Sequence, residues 1–123
     1  MSLHLLLLLQ GLYGLAGCTY NLISYRRTRQ MRTPLAPTNA IHGMVAMLAY
    51  LLILSFAVSG YLVLYRWMMF VALVILGYGG VVAHWLRRQH IDSQYASQAA
   101  WYWATGINAF GVILNGIAAA GVF

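Results

Sequence analysis

The chain has no lysine and no glutamate, and Asp92 is its only acidic side chain. Charged residues make up 7% of the sequence, against roughly a quarter in a soluble globular domain. That deficit excludes an ordinary water-facing surface, and with it a soluble enzyme or a disordered tail. Cysteine is represented by Cys18 alone, so no disulfide framework can form within the chain. A lone aspartate cannot supply the paired carboxylates of general acid–base work. No carboxylate falls inside a long apolar run, which argues against a proton-driven carrier. There is no haem-attachment cysteine pair, phosphate-binding glycine loop or nucleophile elbow. The expectation is a protein with no catalytic activity of its own.

What remains is overwhelmingly apolar. Hydrophobic residues account for 63% of the 123 positions. Crossing a hydrocarbon core of roughly 30 Å takes about 20 apolar residues in a helix. Four stretches meet that length, at residues 3–25, 40–65, 67–86 and 99–123. They are continuous, unlike the short alternating segments of a membrane β-barrel. The sequence therefore reads as all-α, an integral membrane four-helix bundle forming one domain over residues 1–123, with no internal repeat or linker.

The arginines set the orientation. Arg26, Arg27, Arg29 and Arg32 lie between the first and second spans, and Arg87 and Arg88 between the third and fourth. Four crossings put these six on one side, leaving Arg66 alone in a tight turn between spans two and three. The positive-inside bias then makes both basic connections cytoplasmic and both termini non-cytoplasmic. A bacterial-type inner membrane, or an equivalent energy-transducing membrane, is the expected location. The net charge of +6 does not indicate nucleic acid, because the basic residues are clustered between apolar runs. It suits anionic lipid headgroups. Tyr20, Tyr25, Trp85, Tyr95 and Trp101–Trp103 fall near the cytoplasmic interface, and Tyr61, Tyr65 and Trp67 flank the outer turn. Pro34, Pro37, Thr38 and Asn39 stop and then cap helices. The order Leu15, Ala16, Gly17, Cys18 has the form of a lipoprotein cleavage site, but Met1–His4 carries no basic segment. An uncleaved first helix is expected.

Membrane helices associate through small residues and polar contacts. Gly11, Gly14 and Gly17 recur on the first span, and Asn108, Asn115 and Gly111 lie on or beside one stripe of the fourth. These are candidate packing positions, either between the chain's own helices or against other membrane subunits. An accessory or structural subunit of a larger complex is the leading expectation. The alternative rests on His42 and His84, near the cytoplasmic ends of spans two and three. Gly43 and Gly80 beside them would leave room for a macrocycle, and Arg87 and Arg88 could meet its propionates. That reading implies b-type haem, or a chlorophyll-type pigment held by one histidine, in a redox or antenna subunit. Apart from haem iron, no metal is expected.

Overall fold

The computed structural model describes residues 1–123. Four helices are long and apolar enough to cross a membrane: α1 (Leu3–Arg29), α2 (Ala40–Val58), α3 (Leu62–Gln94) and α4 (Gln98–Ala120). At 1.5 Å per residue even the 19 residues of α2 reach about 28 Å. The chain is a membrane protein built as an all-helical bundle.

The helix starts follow capping chemistry. Ser2 Oγ accepts from the Leu5 amide, Asn39 Oδ1 from the amides of Ile41 and His42, and Ser97 Oγ from that of Ala100. Each satisfies backbone donors that the first turn leaves free. The ends depart from the apolar runs. α1 continues through Arg26, Arg27 and Arg29 rather than stopping at residue 25. Cations in a last turn complement the partial negative charge of the exposed carbonyls, so the basic residues prolong the helix. α3 likewise passes beyond residue 86, through Arg87 and Arg88, to Gln94.

The turn between α2 and α3 differs from the expected one at Arg66. The reversal occurs at residues 59–61, where Gly60 takes φ 84°, a left-handed value that glycine adopts without steric cost. Arg66 lies inside α3 and reaches across to the end of α4. Its Nε and Nη2 donate to the carbonyls of Ala119 and Ala120 at 3.2 Å each. Gly121 (φ 72°) then ends α4, and the guanidinium lies over it. Arg66 thus caps a helix rather than making a turn. Replacing it with methionine is expected to cost about 1 kcal/mol. Hydrogen exchange at the amides of residues 119–123 should speed up while the middle of α4 keeps its protection. Unchanged exchange there would show that the cap contributes nothing.

In sequence order the helices form two hairpins, α1 packed on α2 and α3 on α4, joined where α1 meets α4 and α2 meets α3. The α1–α2 and α3–α4 connections emerge together at one end, called here the basic end. Both fold back onto the bundle. Ala36 of the first connection and Tyr95 of the second pack with Trp101 and Ala104 in a buried cluster. Tyr20 donates to the carbonyl of Ala100, and Ser24 Oγ accepts from the amide of Leu35, both at 3.0 Å. Trp101 and Tyr95, expected at the lipid interface, are therefore interior. Outward faces carry exposed Leu8, Leu12, Leu15, Leu52, Val71 and Ile113. Such an apolar surface suits lipid, not water.

Candidate functional site

Inside the bundle one polar side chain from each helix joins a single chain of hydrogen bonds. Gln10 of α1 and Asn115 of α4 have no exposed surface, nor has Tyr65 of α3, and Tyr50 of α2 is almost as deeply buried. Tyr50 donates its hydroxyl proton to Asn115 Oδ1 at 2.7 Å. Gln10 Nε2 donates to the same oxygen at 3.3 Å and lies 3.2 Å from Met69 Sδ. Tyr65 donates to Gln10 Oε1. Amides and phenols in hydrocarbon are costly unless paired, and here they pair with one another. Asn115 Nδ2 alone lacks a protein partner. The quartet is uncharged and contains no base, so its chemistry is that of fixing helix register.

Of these four residues the sequence marked Asn115 as a candidate. Tyr65, expected beside the outer turn, points inward because that turn lies several residues earlier. Gln10 and Tyr50 carried a usable signal. Each is a polar group near the middle of an apolar span, too deep to reach a headgroup.

The other small residues fit this same bundle. A Cβ on Gly14 would lie 2.5 Å from Leu51 Cδ2, one on Gly17 2.6 Å from Met47 Sδ, and one on Gly111 2.4 Å from Tyr13 Cζ. These glycines let the chain's own helices approach closely. Gly11 differs, with nothing in front of it within 4 Å. Asn108 donates to the carbonyl of Ala104 at 2.8 Å, four residues back, and its side chain covers Gly80. Asn21 does the same from α1, donating to Gly17 and covering Gly43. The spaces in front of Gly43 and Gly80 are thus filled by asparagines.

The two histidines have different surroundings. His42 is exposed in the first turn of α2. His84 is buried at the basic end, where its Nδ1 and the Tyr95 hydroxyl share a hydrogen bond of 2.6 Å. Tyr95 lies just beyond α3, and burial raises its pKa while nearby Arg87 opposes the rise, so the hydroxyl stays protonated. The carbonyl of His84 accepts from Trp101 Nε1 at 2.8 Å, tying α3 to α4.

A change of helical winding brings His84 inward. Residues Gly77–Val82 form a π-helical segment, with about 4.4 residues per turn in place of 3.6. In a straight α-helix His84 would lie about 100° around the axis from Tyr65 and about 60° from Met69, at the edge of the inward face. The wider turn absorbs that difference. Gly80 stays inside, whereas Gly77, seven residues before His84, has open space before it. Arg87 is partly buried and Arg88 exposed, with the Arg88 guanidinium 5.0 Å from the Trp85 ring centre. Nowhere do three His, Cys, Asp or Glu side chains come together. No family model, curated protein or solved structure matches the chain.

Proposed function

We propose that the chain is a small accessory subunit that packs against other proteins of a larger membrane complex, without catalysis of its own. Its setting is a bacterial-type inner membrane, or an equivalent energy-transducing one. The basic end faces the cytoplasm and both termini lie on the other side. At the basic end Arg26, Arg27, Arg29, Arg32, Arg87 and Arg88 meet anionic headgroups, at about 1 kcal/mol for each basic residue near the surface.

The observation that carries this reading is a set of glycines with nothing in front of them. Gly11 on α1, Gly79 on α3 and Gly106 on α4 have open space where a Cβ would lie. They make notches in otherwise large apolar faces, and such notches let a second helix approach closely in lipid. Co-purification in a mild detergent, followed by mass spectrometry, should recover stoichiometric partner subunits. Migration as a lone monomer would refute the proposal. Its topology has a separate test in a Cys18→Ala background. Gln30→Cys and His90→Cys should both react with a membrane-impermeant maleimide from the cytoplasmic side only.

Tetrapyrrole binding through His42 and His84 is the second reading. It draws on the burial of His84 and on Tyr95 fixing one nitrogen of the ring, as partners of ligating histidines do. Asn21 and Asn108, standing in front of Gly43 and Gly80, weigh against it. Absorption of the purified protein tests it directly. A Soret band abolished by His84→Ala would favour it over the accessory role, and a colourless, stable protein would remove it.

A further inference from the structure

Between the central quartet and the basic end lies a small polar cavity of about 50 Å³, walled by residues of all four helices, with Met47 the contribution of α2. Roughly 10–15 Å³ suffices for one water, provided that two to four polar groups surround it. Tyr13 forms part of the wall. Its side chain is 1% exposed, yet its buried hydroxyl has no hydrogen-bond partner in the protein. Leaving such a group unpaired costs about 1–3 kcal/mol.

The rest of the lining supplies what that hydroxyl lacks. Asn21 and Asn108 each spend an amide proton on their own helix, which leaves both Oδ1 atoms free to accept. His84 uses Nδ1 on Tyr95, so Nε2 remains for the cavity. Exposed Thr38 stands at the mouth, toward the basic connection. The space is far too small for a macrocycle or a quinone ring, and its lining is too polar to stay dry. We infer that the cavity is a hydration site whose bound water bridges the Tyr13 hydroxyl to the imidazole of His84. Water there joins the middle of the bundle to the basic end without any charged group in the span.

The test uses isotopically labelled protein in lipid bilayers and solid-state NMR, following magnetisation transfer from water. Transfer to the rings of Tyr13 and His84 should be fast, and transfer to Leu54, in the dry core, slow. In Tyr13→Phe the transfer to His84 should fall roughly twofold, because the bridge loses one anchor, and the melting temperature should drop. Slow transfer at either ring in the unmodified protein would overturn the inference. So would unaltered transfer to His84 in Tyr13→Phe. A Tyr13→Phe protein as stable as the parent, or more so, would also overturn it, since removing a dry, unpaired hydroxyl relieves a cost.

Discussion

Replacing Asn115 with leucine is expected to destabilise the bundle by about 3 kcal/mol, a loss larger than most single hydrogen bonds in membranes supply. The size follows from what Asn115 Oδ1 does. It accepts from Tyr50 and from Gln10, so one substitution removes two contacts between helices. Each is worth roughly 0.6 kcal/mol on average and up to about 1.7 in membrane proteins. The larger share comes from the donors left behind. The Tyr50 hydroxyl would be stranded in hydrocarbon, while Gln10 would keep only the Met69 sulfur as an acceptor. Asn108 provides the control. Its amide bonds within its own helix, so Asn108→Leu breaks no hydrogen bond between helices, although the larger side chain must still fit over Gly80. Denaturation by SDS titration, followed by tryptophan fluorescence, should place Asn115→Leu well below Asn108→Leu. A double-mutant cycle with Tyr50→Phe should show coupling near 1 kcal/mol. If Asn115→Leu unfolds at the same SDS fraction as the parent, the quartet does not hold the bundle together.

The quartet also shows how far the sequence could be read. Helix number and rough placement follow from runs of about 20 apolar residues, a property of length and composition alone. Helix ends were less accessible, because arginine both marks the membrane boundary and favours the last turn of a helix. The first meaning suggests a stop after Tyr25, and the second carries α1 to Arg29. Arg66 was misplaced for a related reason. A lone arginine between apolar runs looks like a turn, whereas its side chain caps α4 while the backbone stays helical. His84 was legible as a candidate ligand near the end of its span, but its burial and the π-helical segment that turns it inward were not. A local change of winding leaves no mark on a helical period beyond the glycines Gly77, Gly79 and Gly80. Which polar groups would meet depended on tertiary packing. Asn115 stood out by type, but its partners Gln10 and Tyr50 come from two other helices, at sequence separations of 105 and 65.

The second large effect is expected at Gly111, and it separates the packing of this chain from packing against a partner. A methyl group there would lie 2.4 Å from Tyr13 Cζ, so a neighbour must move. The same is true at Gly17, but the neighbour there is the sulfur of a flexible methionine, which can swing aside. Tyr13 has no such freedom. Its ring is rigid, fully buried, and packed edge-on against Tyr50 with centroids 5.1 Å apart. Gly111→Val should therefore cost about 3 kcal/mol or more, while Gly17→Ala should cost roughly 1 kcal/mol. Both would be read as shifts in the SDS unfolding midpoint. Gly106 is the contrasting position, with nothing within 4 Å. Gly106→Leu should leave the isolated bundle as stable as the parent, or slightly more so, because glycine is a poor helix former. If Gly106 is the notch into which a partner helix fits, the same variant should lose its partner on co-purification. Equal destabilisation by Gly111→Val and Gly106→Leu would mean that both faces are internal. Full partner recovery with Gly106→Leu would place the docking surface on another helix.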